Sequence, residues 1–288
     1  MKEEVFYLKR LIIPILCLAL LCGCTAKGVN NNTNSNTSTT ALQTTIPEST
    51  TVPPAQAVAG LDSLSTKKVV WGFGKIENHQ QPSEPLGLQE TFKSYGAKWL
   101  LDGEKSIALT FDEGYENGFT PAILDTLKEK EVKAIFFVTY DFAKDNPELI
   151  KRIIDEGHVL GNHSYHHYSM DELDTDTARE EIAFLHRFIE ENYNYTMSYF
   201  RFPKGEFSEQ SLKIVQDMGY KSIFWSYAYA DWDTNNQPEE NKAFTGICES
   251  THPGEILLLH AVSKTNADIL GKVIDDIRQQ GYEFTVEL

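Results

Sequence analysis

From Lys105 onward, short continuous apolar runs alternate with segments of helical periodicity. The runs are SIALTF (106–111), KAIFFV (133–138), HVLGN (158–162), YFRFP (199–203), KSIFWS (221–226), EILLLH (255–260) and EFTVEL (283–288). They do not alternate apolar with polar residues, so they fit strands covered on both faces. Helical patterns fall between most of them. TPAILDTLKEK carries Pro121 at its start, where a missing N–H does no harm. NPELIKRIIDEG runs to Gly157, SEQSLKIVQDMG from an N-capping Ser208 to Gly219, and TNADILGKVIDDIRQQG to Gly281. Residues 171–193 place Ile182, Leu185 and Ile189 at helical spacing. Strands joined by helical crossovers predict an α/β fold with about seven parallel strands, open or closed into a barrel. Chemistry in such folds gathers at the C-terminal strand ends.

Those ends are polar. The first run leads into Asp112-Glu113, the third into His163-Ser164-Tyr165-His166-His167, the fourth carries Arg201 and leads to Lys204, the fifth leads to Asp231-Trp232, and the sixth ends at His260. Two histidines and one carboxylate suit Zn²⁺ or another first-row divalent metal with open positions. A second carboxylate can take a proton from water, and a separate histidine can protonate a leaving group. A lone His-x-x-x-His pair, a strand-end His or a single Arg has bland structural explanations. Their convergence on one face favours metal-assisted hydrolysis.

The rest of the chain narrows the setting. Lys9-Arg10 followed by LIIPILCLALLC (11–22) forms a secretory leader, too short for a spanning helix of about 20 apolar residues. Leu21-Cys22-Gly23-Cys24 resembles the bacterial lipobox, which implies removal of residues 1–23 and lipid on Cys24. Residues 24–60 are rich in Asn, Thr, Ser, Ala and Pro and read as a tether with a mean reach of roughly 30–35 Å. Of the four cysteines, only Cys248 lies in the folded part, so no disulfide framework is expected. Residues 61–104 form a lead-in, in which VVWGFG (69–74) is strand-like or anchors the core. A net charge of −16 argues against nucleic acid and against docking on anionic lipid. The expected placement is outside the cytoplasm, held to the membrane through the lipid alone and facing the wall.

The motifs resemble those of the NodB-homology polysaccharide deacetylases, carbohydrate esterase family four. Thr110-Phe111-Asp112-Glu113-Gly114 is similar to TFDDG, and His163-Ser164-x-x-His167 to H-[ST]-x-x-H. Arg201-x-Pro203-x-Gly205 is similar to R-x-P-[YF]-G, Asp231-Trp232 to the end of D-x-x-D-W, and Leu258-x-His260 to L-x-H. The resemblance covers residues 105–288 and implies a distorted (β/α) barrel. The runs GYENGFT, GEFSE and HAVS resemble the subgroup that deacetylates N-acetylmuramic acid of peptidoglycan on the way to the muramic δ-lactam of spore cortex. Peptidoglycan is then the partner, and a monomer is expected. Deacetylation of GlcNAc, chitin-like chains or O-acetylated xylan is the alternative, and an inactive glycan-binding module is another.

The resemblance also implies roles. Glu113, His163 and His167 hold a divalent metal, zinc first, with cobalt or manganese as alternatives. Asp112 is the general base, paired with Arg201. The Lys204 backbone N–H stabilises the oxyanion. His260 is the general acid, oriented by Asp231. Trp232 and Leu258 receive the acetyl methyl. Three departures stand out: Glu113 is one methylene longer than the family's usual Asp, Lys204 replaces an aromatic and favours an anionic group such as a lactyl carboxylate, and Ala228 stands where D-x-x-D-W begins. His166 is expected beside the site without ligating, and His79, His158, His186 and His252 in structural or surface roles.

Overall fold

The computed structural model describes residues 60–288. The leader and nearly all of the tether, with Cys24, lie outside the described residues.

Each of the seven apolar runs contains a strand: β1 (Ser106–Glu113), β2 (Ile135–Val138), β3 (Val159–Asn162), β4 (Tyr199–Phe200), β5 (Lys221–Ser222), β7 (Ile256–His260) and β8 (Glu283–Phe284). The sequence pattern missed β6 (Tyr227–Ala228), whose two residues carry no periodicity. The sheet order is β5-β4-β3-β2-β1-β7-β6, with β8 beside the start of β1, and every pairing is parallel. This is the expected distorted barrel, left open between β5 and β6. The helices are α1 (Ser83–Phe92), α2 (Thr120–Glu129), α3 (Tyr140–Asp145), α4 (Pro147–Asp155), α5 (Thr175–Tyr193), α6 (Glu209–Asp217), α7 (Glu240–Ser250) and α8 (Lys264–Gln279). Ser208 caps α6 through a reciprocal pair with Ser211, as its position predicted. None of the described helices is long and apolar enough to cross a membrane.

Strand alternation sorts the side chains into two layers. Ile107, Leu109 and Phe111 of β1, Phe136 and Val138 of β2, and Leu257 and Leu259 of β7 join the larger core, which also holds the buried faces of the helices. Ala108, Ile135, Phe137 and Ile256 form a smaller core on the barrel's inner side. The inner set is out of phase with the outer by one residue. That phase decides which strand-end side chains can meet inside.

The lead-in belongs to the same core. VVWGFG is not a strand, but it anchors. Trp71 packs edge-on against Trp99 and Phe224, and Trp99 stacks on Phe224 at 4.2 Å. Lys98 pairs with Ile223, next to β5, and Leu100 with Glu255, next to β7, so this segment bridges both sides of the open seam. Trp71 Nε1 also donates to the Gly205 carbonyl (2.9 Å), and Val69 N to the Phe207 carbonyl (2.9 Å). These bonds tie the lead-in to the loop that carries Lys204.

Candidate active site

Carrying the inner phase forward along each strand places Asp112 beyond Thr110, His163 beyond Gly161, Arg201 beyond Tyr199, and Leu258 and His260 beyond Ile256. All except Arg201 line one cavity of about 730 Å³, together with His167, Lys204 and Trp232. Arg201 lies fully buried behind it.

Arg201 organises the floor. Its Nη1 donates to Asp112 Oδ1 (2.8 Å) and Thr110 Oγ1 (2.8 Å), Nε to the Ile223 carbonyl (3.0 Å) and Nη2 to the Phe224 carbonyl (3.1 Å). The guanidinium also lies 4.1 Å from the centre of the Phe137 ring. A buried charge is tolerable only when paired and hydrogen-bonded in this way. Gly161 makes the packing possible, because a Cβ there would come within 2.5 Å of the Phe137 ring. Burial pushes the Asp112 carboxyl up, but Arg201⁺, with His163 and His260, holds it below the ordinary carboxylate value. Asp112 is therefore an ionised carboxylate ready to accept a proton.

Opposite, His260 Nδ1 donates to Asp231 Oδ1 (2.8 Å), and the His260 backbone N–H donates to Asp231 Oδ2 (2.8 Å). Burial lowers the His260 pKa, but the Asp231 hydrogen bond and charge outweigh it, leaving the imidazole above its ordinary 6.5. Asn266, in the first turn of α8, donates to Asp231 Oδ2 (2.6 Å) and to the His260 carbonyl (3.0 Å). The sequence reading missed Asn266. The support absent at Ala228 comes from this side chain and from the His260 backbone.

His163 Nδ1 donates to the Arg201 carbonyl (2.9 Å), which leaves Nε2 free on the cavity side. It lies 3.1 Å from His167 Nε2 and 3.5 Å from Asp112 Oδ2. Burial lowers both histidines, His167 to about 4, so both imidazoles are neutral near pH 7. Two neutral, converging Nε2 lone pairs are the donors a divalent metal takes. In this respect the residues fit a metal.

Glu113 does not complete the set. It is absent from the cavity lining, and no group of three or more His, Cys, Asp or Glu is arranged to hold a metal among the described residues. Consecutive residues of an extended strand face opposite sides, so Glu113 continues the row of Phe111 while Asp112 takes the inner row. Its side chain is fully buried, and neither carboxylate oxygen has a partner. Burial first, then the charges of Glu116 and Asp112, push it well above 4.5. The expected ligand role of Glu113 is thus not met by this geometry.

Lys204 adopts a left-handed backbone (φ 58°), rare for a residue with a Cβ, and its Nζ lies 3.4 Å from Ser169 Oγ. Gly205 beside it (φ 69°) cannot carry a Cβ, which would sit 2.6 Å from Trp225. The Trp232 ring stands edge-on to His260 at 5.9 Å and is 57% exposed. His166 lines the cavity without facing the His163–His167 pair. Its Nδ1 turns back to Glu181.

Comparison with known proteins shows the family. Residues 102–223 match the family model for polysaccharide deacetylase. The chain is 42% identical over 235 residues to the peptidoglycan-N-acetylmuramic acid deacetylase PdaA of Bacillus subtilis (strain 168), covering 80% of this chain and 88% of that one. The solved structure of that protein, a family 4 carbohydrate esterase, superposes with a TM-score of 0.74 over 77% of this chain and 96% of that chain. A family 4 carbohydrate esterase from Bacillus anthracis gives a TM-score of 0.64 at 38% identity, over 77% of this chain and 95% of that chain. A peptidoglycan-N-acetylglucosamine deacetylase of Bacillus cereus is 32% identical over 182 residues, 62% of this chain and 65% of that one. The chain therefore belongs to the polysaccharide deacetylases of carbohydrate esterase family 4, hydrolases that act on N-acetyl amides.

Proposed function

We propose that this chain removes the acetyl group from N-acetylmuramic acid in peptidoglycan, a step toward the muramic δ-lactam of spore cortex. The observation that carries the chemistry is the pairing across one cavity of an ionised Asp112, held by Arg201, with a His260 held by Asp231. One group accepts a proton where the other can give one. The likeness to the Bacillus subtilis muramic acid deacetylase over most of both chains supports the substrate.

In this reading Asp112 takes the proton of the attacking water as its oxygen adds to the acetyl carbon. The backbone N–H of Lys204 donates to the oxyanion that forms. The protonated His260 then gives its Nε2 proton to the leaving nitrogen as the C–N bond breaks, releasing acetate and the free amine. Asp231 fixes the imidazole so that Nε2 is the free edge. Trp232 and Leu258 receive the acetyl methyl, and the ammonium of Lys204, which lines the cavity, pairs with the lactyl carboxylate that distinguishes muramic acid from glucosamine. Deacetylases of this family are metal-dependent. In this chain His163 and His167 would hold the ion, zinc first, and it would supply Lewis-acid activation of water and the acetyl carbonyl. The leader, Cys24 and the tether support a lipoprotein outside the cytoplasm facing the wall.

The test is acetate release from stem-peptide-free glycan strands and from chitin oligomers, with and without a chelator. The proposal expects release from the glycan strands that the chelator abolishes. Equal or faster release from chitin oligomers would assign the activity to GlcNAc. Binding without release on every substrate would mark a glycan-binding module.

A further inference from the structure

We propose that His166 and Tyr168 form a stacking platform for the sugar ring next to the one being deacetylated, fixed from behind by the buried Glu181. This rests on the deacetylase reading of the cavity.

The loop after β3 builds a tier of rings outward from α5. Tyr165 stacks on Phe184 (4.0 Å between ring centres, 12° between planes), His166 lies 3.6 Å from Tyr165, and Tyr168 stacks on His166 (5.0 Å, 19°). The tier begins in the fold and ends at Tyr168, which is 50% exposed. Tyr165 and His166 line the catalytic cavity, so the tier is an extension of its wall. Ser164 (φ 71°) and His167 (φ 60°) hold left-handed backbones on either side, a conformation rare for residues with a Cβ.

Glu181 is the second observation. Its side chain is 4% exposed, yet it spends both oxygens on His166, accepting Nδ1–H (2.6 Å) and the backbone N–H (2.8 Å). Burying a carboxylate is unfavourable unless it is paired and hydrogen-bonded, and here its partners are both on His166. What the carboxylate adds is a fixed imidazole whose Nε2 edge stays free. An imidazole held this way beside an exposed phenol ring matches a pyranose, which offers a C–H face to the ring and hydroxyls to Nε2. Tyr115 and Trp232, both exposed, line the same cavity, so aromatic surface surrounds the mouth on more than one side. The ligand class is an unbranched chain of pyranose rings, with Tyr168 under a ring next to the reacting one.

The test compares kcat/KM on a long strand with that on the shortest substrate turned over. For Tyr168→Ala the long-to-short ratio should fall about tenfold, carried by KM, while Tyr168→Phe restores it. His166→Gln should lower the same ratio. Calorimetric binding of fully deacetylated strands should weaken about tenfold in Tyr168→Ala, a readout that needs no turnover. A ratio and a binding constant both unmoved in Tyr168→Ala would overturn the platform. The ratio is measured on whichever sugar the wild type deacetylates, so activity confined to GlcNAc would refute the muramic acid reading and leave the platform standing or falling on its own.

Discussion

Replacing Glu113 by Gln keeps the side-chain shape and removes the ionisation. In the folded chain burial, Glu116 and Asp112 raise this carboxyl well above 4.5, so it holds a proton that the unfolded chain releases above that value. For an acid with a raised folded value, the contribution to stability is whole below 4.5 and is lost as pH climbs through the folded value. Over that window each pH unit costs about 1.4 kcal/mol. The variant has no such proton, so wild type loses stability relative to the variant at that slope. For a domain of this size 1 kcal/mol corresponds to roughly 2–4 °C in Tm, so the variant gains roughly 3–6 °C on wild type per pH unit between 4.5 and the folded value. At pH 4.5 the comparison is between a buried acid and a buried amide, where an unpartnered NH₂ costs Gln about 1–3 kcal/mol. The curves should therefore cross as pH rises. The assay is thermal unfolding by circular dichroism of chelated protein from pH 4.5 to 7. Parallel curves would show that Glu113 is ionised and partnered in the fold, and the phase argument for its outward placement would be wrong. Calorimetric zinc affinity of Glu113→Gln should equal that of wild type; loss of metal would return Glu113 to the ligand set.

Asp112→Asn should lower kcat by about 10²–10⁴-fold, the usual worth of a positioned base, while calorimetry still detects glycan binding. The alkaline limb of kcat/KM should lie above 6.5, because His260 is raised, and should move down in Asp231→Asn, which removes the hydrogen bond and charge that raise it. Arg201→Met leaves Asp112 buried without its cation and should cost about 3–5 kcal/mol in urea unfolding at pH 7. His163→Ala should lower zinc affinity roughly a hundredfold or more by calorimetry.

Much of the architecture was legible because it rests on long apolar runs. Each of the seven runs contains a strand, though in β4, β5 and β8 it spans only two residues of the run. The elements missed were short or mixed. β6 has two residues, α3 has six, α1 buries only Pro85, and α7 carries Gly246 and a largely polar surface. At the site the inner row of Asp112, His163, Arg201 and His260 followed from their positions at strand ends. Glu113, expected among the metal ligands, lies outside the cavity lining, as the strand period of two already suggested. Adjacent residues of a regular strand point to opposite faces, which motif spacing alone does not show. Asn266 left no signal, because its link to Asp231 depends on how α8 begins beside β7. Glu181 did leave one. It lies on the same helical stripe as Ala178, Ile182, Leu185 and Ile189, and a carboxylate on a buried stripe must have a partner.

The central claim is most directly tested by mass spectrometry of peptidoglycan strands after incubation with the metal-loaded protein. The account predicts that muramic acid residues lose their acetyl group and that the neighbouring glucosamine residues keep theirs. Loss of acetyl from glucosamine alone would contradict it.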